Sequence, residues 1–595
     1  MHQNGVIENN MTGYPSTDRP WLRYYSEEAI NTPLPECTIF EYLWKNNKDH
    51  LDTVALSYFD RQISYREVFE NIDKTANAFS AIGIHAGDIV VMATVTTPET
   101  IYAFYALNRL GAIPNMVDPR TSTEGIRQYI KEGNSEYVLT IEVAYPKIEK
   151  AIVGTKVKGI IVVSPSDSLP MIKKVLYNAA NMFKGNKVSG SDICLKWNDF
   201  LDKGNDKKLS PTPYKPNTCC VIVHTGGTTG TPKGVMLSND NFNVMALQYQ
   251  LLGIDFNRKQ KFLDIMPPFI AYGVVLGIHI PLSIGMTNIL IPQLDPEKFA
   301  DLIIKYKPAH LTGVPTHYDK LRTSPKMKKV DLEFFENAGV GGDAVTANFE
   351  SDINDFLKSH HSKYEIAKGY GMTEVSSAAT TCRGTVNKFQ SVGTPHLKTV
   401  VGIFEPDTDI ELKYNQQGEV CICAPTVMLG YYGQEEETKN ILKKHSDGMI
   451  WIHSGDIGHI DEDGFLFIDG RIKRLIIRHD GFKVFPSLIE NKLAMNQAVK
   501  DCCVIGMPDK AHSQGELPFA CIVLDSTFFG KENTVKEELI KLCETELPEY
   551  AQPTGFKFMN ELPLTPIGKV DYRALAVQVS KVKGIEGKVS VEVEK

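Results

Sequence analysis

One segment of the chain has the composition of a loop that binds phosphate. It reads Thr225-Gly226-Gly227-Thr228-Thr229-Gly230-Thr231-Pro232-Lys233-Gly234 and follows the apolar run CCVIV. Glycine lets backbone amides approach an anion closely, the threonine hydroxyls add hydrogen-bond donors, and Lys233 adds positive charge. The segment is not a Walker A loop, because that motif needs Gly-Lys-Ser/Thr and here Lys233 precedes Gly234.

Charged and glycine-rich motifs follow this loop along the chain. In order they are Gly339-Val340-Gly341-Gly342, Gly369-Tyr370-Gly371-Met372-Thr373-Glu374, Gly418-Glu419, Gly430-Tyr431, Ser454-Gly455-Asp456, Gly470-Arg471-Ile472-Lys473, Gly481-Phe482 and Pro563-Leu564-Thr565-Pro566-Ile567-Gly568-Lys569. Taken singly, Asp456 also suits a turn after glycine, and Tyr370 also suits a core position. The order and spacing of the whole set favour one shared site.

In that order and spacing, the motifs resemble the adenylate-forming superfamily of acyl-CoA synthetases, peptide-synthetase adenylation domains and luciferases. The similarity spans roughly residues 20 to 578, and its fit is closest to fatty acyl-CoA synthetases. The resemblance implies that a carboxylate attacks the α-phosphorus of ATP, and that the resulting acyl-adenylate passes its acyl group to the thiol of coenzyme A. Such a reaction gathers negative charges, which the cations of these motifs would neutralise.

The resemblance also implies residue roles. The implied nucleotide and coenzyme contacts are Thr225, Gly226, Gly227, Thr228, Thr229, Gly230, Lys233, Gly339, Gly341, Gly369, Tyr370, Gly371, Thr373, Asp456, Arg471, Lys473, Gly481 and Phe482. Among them, Tyr370 would stack on adenine, Thr373 would bind the α-phosphate, and Asp456 and Arg471 would bind the ribose. Glu374 would hold Mg²⁺, a hard ion that prefers carboxylate and phosphate oxygens.

A small C-terminal domain is expected to serve both half-reactions. By resemblance, Lys569 is the catalytic lysine that swings into the adenylation site, acting there with Thr373 and Glu374. Lys473 matches the hinge of the small domain. Gly481 and Phe482 match the place where the turned domain lines the pantetheine tunnel, and glycine permits close approach of the thiol-bearing arm.

The acyl pocket is expected around Ile270, Ala271, Tyr272 and Gly273, with Gly339 and Gly341 in its wall. Peptide-synthetase domains carry an aspartate near the start of this pocket, and here the corresponding residue is Ile270 or Ala271, so an amino-acid substrate is disfavoured. The small residues suit a wide apolar pocket, and tight core packing explains them equally well. We expect a medium- or long-chain fatty acid, with a steroid or aryl acid as the alternative.

Apolar runs such as DIVVMATV (88–95) and KGIIVVS (158–164) alternate with amphipathic stretches, which predicts an α/β fold with mainly parallel sheet. The pattern changes near Gly470, where a smaller α+β unit begins. The predicted division is a large adenylating domain (1–470), a hinge (471–473), a small mobile domain (474–580) and a tail (581–595). Ser487 and Glu490 form a capping-box pattern that predicts a helix start.

Composition excludes some classes of protein. The net charge of -8 and the isoelectric point near 6.1 give no general attraction to nucleic acid. The eleven cysteines have no zinc spacing and are expected to be reduced. No secretory signal and no apolar run of roughly 18 to 20 residues is present, so a cytoplasmic location is predicted.

The segment 169–187 is predicted to form a basic amphipathic helix. Leu169, Ile172, Val175 and Leu176 recur at helical spacing, and positive charge comes from Lys173, Lys174, Lys184 and Lys187. Such a helix can lie on an anionic membrane, making peripheral membrane contact, or can pack on its own domain with a solvated basic face.

Two functional alternatives remain open at this stage. A fatty acyl-AMP ligase would share every nucleotide residue but deliver the acyl group to a carrier protein. A catalytically silent scaffold is disfavoured, because it has no need of Glu374, Asp456, Arg471 and Lys569 together.

Overall fold

The computed structural model describes residues 11–182, 193–205, 210–225, 232–512, 514–564 and 570–580, with side chains from 178 to 182 and at 573 and 580 also left aside. Up to residue 395 the strands are β1 (Val54–Tyr58), β2 (Arg61–Ser64), β3 (Ile89–Ala93), β4 (Ile113–Val117), β5 (Tyr137–Ile141), β6 (Gly159–Val163), β7 (Cys194–Lys196), β8 (Cys219–His224), β9 (Gly234–Ser238), β10 (Lys261–Asp264), β11 (Thr287–Leu290), β12 (His310–Gly313), β13 (Asn337–Val340), β14 (Ala367–Tyr370), β15 (Thr380–Thr381) and β16 (Thr394–Pro395). The later strands are β17 (Val400–Phe404), β18 (Gly418–Cys423), β19 (Gly430–Tyr431), β20 (Leu442–Lys444), β21 (Ile450–Ile460), β22 (Leu466–Arg471), β23 (Ile476–Ile477), β24 (Lys483–Val484), β25 (Val499–Pro508), β26 (Glu516–Leu524) and β27 (Phe556–Met559).

Helices cover the faces of these sheets. They are α1 (Pro15–Asp18), α2 (Glu27–Asn31), α3 (Ile39–Asn47), α4 (Tyr65–Ala81), α5 (Pro98–Leu110), α6 (Thr123–Glu132), α7 (Tyr145–Ala151), α8 (Met171–Met182), α9 (Trp197–Asp202), α10 (Asn239–Gln250), α11 (Ile280–Ile284), α12 (Phe299–Tyr306), α13 (Pro315–Thr323), α14 (Ala347–Ser359), α15 (Glu435–Ile441), α16 (Pro486–Leu493), α17 (Glu532–Glu546) and α18 (Tyr572–Ser580). A π-helix, Tyr272–His279, precedes α11. No helix in the described part of the chain is long and apolar enough to cross a bilayer.

Two large sheets dominate the first part of the chain. The eight-stranded sheet has the order β19-β9-β8-β4-β3-β5-β6-β7, and the nine-stranded sheet has the order β16-β15-β14-β13-β12-β10-β11-β1-β2. From β8 to β7, and from β14 to β1, neighbouring strands are parallel. β3 and β6 are buried at all five positions, as strands covered on both faces should be. The predicted α/β fold with a large first domain is confirmed.

Antiparallel sheet follows, and then the smaller unit. β17, β18, β21, β20 and β22 form a five-stranded sheet. In the smaller unit, β25 pairs with β26 in antiparallel fashion, and β26 pairs with β27 in parallel. Helices α16 and α17 pack against each other and bury Ile489, Leu493 and Leu539 with this sheet. The predicted small α+β domain is therefore present.

Helix α16 begins without the predicted capping box. Pro486 occupies the first turn, where its missing N–H leaves no bond unmade, and no side chain caps the helix. Glu490 instead forms an ion pair with Arg474 at 2.5 Å and accepts a hydrogen bond from the Val504 N–H at 2.7 Å. The predicted helix is confirmed, but the capping box is wrong because the helix begins at Pro486 with Phe485 as its N-cap, which places Ser487 inside the helix.

Helix α8 differs from the expected packing in which the apolar stripe is covered by its own domain, whereas membrane contact stays a prediction. Lys173 lies on the inner side of the helix, where its Nζ donates to the Phe59 carbonyl at 2.9 Å and to the Asp60 carboxylate at 2.8 Å. The outer side exposes Met171, Ile172, Val175 and Leu176, each by more than 60%. The apolar stripe therefore faces solvent, and a lysine anchors the helix. Lys184 and Lys187 lie outside the described residues.

Candidate active site

Strands β8 and β9 hold the two ends of the predicted phosphate loop. They pair in antiparallel register up to His224 and Gly234. The Thr225 N–H donates to the Lys233 carbonyl at 3.0 Å, and the Lys233 N–H donates to the Thr225 hydroxyl oxygen at 3.0 Å. Thr225 and Lys233 thus close the base of the loop. Gly226, Gly227, Thr228, Thr229 and Gly230 lie outside the described residues.

The Lys233 side chain reaches the surroundings of the predicted metal ligand, Glu374. Strand β19 pairs with β9 and brings the Tyr431 ring to 4.9 Å from Lys233 Nζ. The Tyr431 hydroxyl donates to Glu374 Oε1 at 2.7 Å. Lys233 also forms an ion pair with Glu437. A cation, a phenol and a carboxylate that are far apart in sequence therefore share one cluster.

Burial dominates the electrostatics of Glu374, which is 7% exposed. Removal from water raises the pKa of the Glu374 carboxyl, while the Tyr431 hydrogen bond and the charges of Arg471 and Lys233 oppose that rise. This donor set fits Mg²⁺, because magnesium typically takes one or two protein carboxylates and completes its shell with water and substrate phosphate.

The turn that carries Thr373 and Glu374 is fixed by its backbone. Thr373 begins a short 3₁₀ turn directly after β14. A Cβ atom at Gly371 would lie 2.0 Å from the Ser377 carbonyl oxygen, so only glycine fits there. Ser376 and Ser377 have φ of 60° and 110°, conformations that cost energy outside glycine. The Ser376 hydroxyl donates to the Thr426 carbonyl at 2.7 Å and helps to hold the turn.

Asp456 and Arg471, the two predicted ribose ligands, are in direct contact. Antiparallel pairing of β21 and β22 places them opposite each other, with Arg471 Nε 2.8 Å from Asp456 Oδ1. The other oxygen, Oδ2, accepts a hydrogen bond from the Tyr370 hydroxyl at 2.7 Å. Burial and the neighbouring carboxylate raise the pKa of Tyr370 well above its usual value, which keeps the phenol protonated as a donor. Three predicted nucleotide-binding residues therefore meet at one carboxylate.

A buried glutamate supports the segment that carries Asp456. Glu419 Oε1 accepts the Gly455 N–H at 3.0 Å, and Oε2 accepts His453 Nδ1–H at 2.8 Å. His453 Nε2 lies 2.9 Å from His445 Nε2, which extends the chain of buried polar groups. The sequence motif Gly418-Glu419 was noted, but no role was predicted for the glutamate. Its place on β18, which pairs with β21, is visible only in the fold.

The predicted acyl-pocket residues lie close to the nucleotide motifs. The Tyr272 hydroxyl donates to the Gly313 carbonyl at 3.0 Å. A Cβ atom at Gly341 would lie 3.2 Å from the Gly369 carbonyl oxygen and 3.7 Å from Tyr272 Oη. Gly341 thus lies between a predicted acyl-pocket residue and the glycine that precedes Tyr370.

Other small residues of this region are packed closely. A Cβ at Gly273 would lie 1.8 Å from the Pro267 carbonyl oxygen, and one at Gly339 would lie 3.1 Å from the Thr312 methyl group. Close packing, the alternative to a wide pocket, accounts for glycine at position 273. Ala271 is buried, and Ile270 is half-buried between the two largest apolar clusters.

The predicted coenzyme-side residues occupy exposed positions in the small unit. Lys473 lies in a short 3₁₀ turn after β22 and is exposed. Gly481 has φ of +81°, and nothing lies within 4 Å of the position of a Cβ atom. Phe482 is 51% exposed and stacks on Tyr550, with ring centroids 4.7 Å apart. Lys569, the predicted catalytic lysine, lies outside the described residues.

Comparison with known proteins identifies the family. A family described as AMP-binding enzyme matches residues 43–432, which include the phosphate loop, the Glu374 turn and Tyr431. The chain belongs to the AMP-binding enzyme family. The C-terminal domain of AMP-binding enzymes also matches, over residues 488–569. The predicted membership of the adenylate-forming enzymes is confirmed, and with it the prediction of an AMP-forming ligase.

Relatives of this AMP-binding enzyme extend over nearly the whole chain. A long-chain-fatty-acid–CoA ligase of Bacillus subtilis is 28% identical over 572 residues, which cover 94% of this chain and 98% of the relative. A protein of Dictyostelium discoideum named "probable 4-coumarate–CoA ligase 1" is 27% identical, covering 92% and 96%. The crystal structure of an anthranilate CoA ligase in complex with anthranoyl-AMP has a TM-score of 0.77 at 20% identity, covering 92% and 98%, and shows the same fold.

Proposed function

We propose that the protein activates a hydrophobic carboxylic acid with ATP to form an acyl-adenylate, and then transfers the acyl group to coenzyme A with release of AMP. The observation that supports this most strongly is the cluster in which Tyr370, Asp456 and Arg471 meet beside the Thr373–Glu374 turn. The names of the relatives, which are CoA ligases, support the coenzyme A step.

In the first half-reaction, a carboxylate oxygen of the acid bonds to the α-phosphorus of ATP, and the bond to pyrophosphate breaks. Pyrophosphate leaves with the electron pair. Lys233 and Arg471 are close enough to Glu374 to lower its pKa. Both cations would stabilise the negative charge that develops on the phosphate oxygens. Glu374 would hold Mg²⁺, whose chemistry here is neutralisation of phosphate charge.

In the second half-reaction, the thiol of coenzyme A releases its proton to solvent and its sulfur bonds to the carbonyl carbon of the acyl-adenylate. The bond from that carbon to the phosphate oxygen breaks, and AMP leaves with the electron pair. We propose that the small domain, residues 474–580, turns about residues 471–473 between the two steps. Residues 471–473 lie between the two matched family segments, 43–432 and 488–569, which supports this division. The open space at Gly481 suits the approach of a narrow pantetheine arm.

Two variants separate the half-reactions. Lys569→Ala is expected to slow adenylate formation by about 10² to 10³, while thioester formation from supplied acyl-adenylate survives. Gly481→Leu should block the coenzyme A step and spare adenylate formation. Gly530→Leu is the matched control, because Gly530 has the same φ of +81° and equally open surroundings. Equal loss of both steps in Lys569→Ala and Gly481→Leu would contradict the two-orientation mechanism.

We propose a medium- or long-chain fatty acid as the substrate, with an aryl acid of the 4-coumarate type as the alternative. The Bacillus relative, named for long-chain fatty acids, supports the first. Purified protein with ATP, Mg²⁺ and an acid series should show activity that rises about fourfold per added methylene, at roughly 0.8 kcal/mol each. Equal activity on acetate and dodecanoate would refute a fatty-acid pocket, and preference for 4-coumarate would favour the alternative.

The acceptor is tested by the same incubations with and without coenzyme A, with products identified by mass spectrometry. An acyl-CoA product supports the proposal. Acyl-adenylate that accumulates with coenzyme A but is consumed by a phosphopantetheinylated carrier protein would support the acyl-AMP ligase alternative.

We also propose that helix α8 contacts lipid through its exposed apolar side. Met171, Ile172, Val175 and Leu176 form this side, and the Lys173–Asp60 ion pair holds the helix in place. Each fully buried Val, Leu, Ile or Met side chain contributes about 1.5 to 3 kcal/mol. Replacing Ile172 and Leu176 by Asn should therefore release the protein from phosphatidylcholine–phosphatidylserine liposomes in a sedimentation assay. Unchanged sedimentation would refute this contact.

A further inference from the structure

Two histidines and an aspartate meet on the small unit, away from the nucleotide cluster. His479 lies in the turn 478–482, and Asp509 and His512 lie directly after β25, within residues 509–512. His479 Nδ1 is 3.0 Å from Asp509 Oδ2, and His512 Nδ1 is 2.8 Å from the same oxygen. The three ligand atoms lie within 4.8 Å of one another.

We propose that His479, Asp509 and His512 bind a divalent transition-metal ion such as Zn²⁺. Two imidazoles and one carboxylate form a set that suits zinc and its first-row neighbours. Bonds of about 2.0 to 2.2 Å at tetrahedral or octahedral angles separate neighbouring ligand atoms by about 2.8 to 3.5 Å. Both measured nitrogen–oxygen distances fall within that range.

The surroundings allow an ion to enter. The Asp509 side chain is 4% exposed, whereas His479 and His512 are 28% and 45% exposed. Their rings stack with centroids 3.4 Å apart and planes 6° apart, and both Nδ1 atoms face the same Asp509 oxygen. Because the His479 and His512 rings are parallel, their nitrogen lone pairs also run parallel. The two rings are exposed and would have to tilt for both lone pairs to point at one ion.

The carboxylate is held ready by its own segment. The Ala511 N–H donates to Asp509 Oδ1 at 2.9 Å, which leaves Oδ2 for the histidines. The nearby cation, Arg478, is paired with Asp480 at 2.9 Å. The ligand set therefore carries the negative charge that metal binding needs.

The two segments that supply the ligands also touch through their backbones. Gly515 has φ of +99°, and a Cβ there would lie 2.3 Å from the His479 nitrogen. A bound ion would fasten the turn 478–482, which carries Gly481 and Phe482, to residues 509–512. On the proposed function, that turn lines the path of the thiol, so the ion is expected to slow the coenzyme A step more than adenylate formation.

Direct metal binding tests the site independently of catalysis. Tag-free, metal-stripped full-length protein is titrated with Co²⁺, followed by visible d–d absorption and by calorimetry. The expected result is one saturable site, with affinity reduced at least tenfold in His512→Ala and in His479→Ala, since even indirect ligand contacts are worth about 10- to 100-fold. His361→Ala is the matched control, because His361 also lies near an aspartate, Asp331 at 3.4 Å, but belongs to no three-ligand group among the described residues.

Two outcomes would overturn the metal site. One is the lack of a saturable spectrum in the wild-type protein. The other is equal affinity in wild type and His512→Ala. For the expected loss of affinity, unchanged circular dichroism of the variant excludes misfolding as the cause. Failure of the proposed function has a different signature, since cobalt would still bind while no acid yields a thioester. Equal inhibition of both half-reactions by Zn²⁺ would overturn only the link to the coenzyme A step.

Discussion

Asp264, at the end of β10, should make the stability of the large domain depend on pH. It is 1% exposed, and neither of its carboxyl oxygens has a partner at full hydrogen-bond geometry among the described residues, although the Met266 backbone and the Asn288 amide lie nearby. Burial raises the pKa of Asp264 to about 8, against a limited opposing effect from the Met266 backbone and Asn288. The carboxyl is therefore mainly protonated in the folded protein at neutral pH.

The direction of the effect follows from proton binding. The unfolded chain loses this proton near pH 3.8, whereas the folded chain keeps it to about pH 8. The folded state thus binds more protons in between, and the free energy of unfolding falls as pH rises from about 4 to 8. At 1.36 kcal/mol per pKa unit, the rise in pH from about 4 to 7 lowers the free energy of unfolding by about 4 kcal/mol.

Asp264→Asn removes the titrating group and keeps a donor that can face the buried Asn288 oxygen, which also has no hydrogen-bond partner in the described structure. The variant should gain stability over wild type progressively from pH 5 to pH 8. Urea unfolding midpoints at pH 5, 6, 7 and 8 measure this, with the exposed Asp49→Asn as control. A difference between Asp264→Asn and wild type that stays constant with pH would show that the carboxyl ionises normally, and would refute the reasoning.

Three further predictions concern the 368–374 segment. Lys368→Met leaves the buried Glu350 carboxylate without its ion-pair partner and should lower the free energy of unfolding by about 3 to 5 kcal/mol. The double variant Lys368→Met with Glu350→Leu should recover most of that free energy. Equal losses in the single and double variants would argue against a strong pair. Tyr431→Phe removes a bond that lowers the pKa of Glu374, so the acid limb of pyrophosphate exchange should move to higher pH, and an unmoved limb would contradict this. Gly371→Ala should destabilise the fold by about 1 to 3 kcal/mol through its clash, measured by thermal unfolding; an unchanged midpoint would mean that the turn relaxes.

The sequence predicted the layers of the fold well, because buried parallel strands are short continuous apolar runs. KGIIVVS contains β6, and CCVIV lies within β8. It failed where a residue has two possible partners. Glu490 could cap its own helix or bind Arg474, and only the fold brings that arginine within reach.

The same limit applies to the site. Motif order identified Asp456 and Arg471 as neighbours in function, and β-pairing of β21 with β22 makes them neighbours in space. Glu419 was out of reach of such reasoning, because its role depends on the register between β18 and β21. Helix α8 was predicted with the correct period, but periodicity cannot say which side of a helix is covered, and Lys173 anchors the side expected to face solvent.

The proposed nucleotide-binding residues lie where three sheets meet, and two tyrosine–carboxylate hydrogen bonds join these sheets. Tyr431, on the eight-stranded sheet, donates to Glu374, which follows the nine-stranded sheet. Tyr370, the last residue of β14 in the nine-stranded sheet, donates to Asp456 on the five-stranded sheet. A ribose that took over the Asp456 oxygens would have to displace the Tyr370 hydroxyl and loosen Arg471. Arg471 is two residues from Lys473, the proposed hinge, so a nucleotide bound at Asp456 as proposed would act next to the point where the small domain begins.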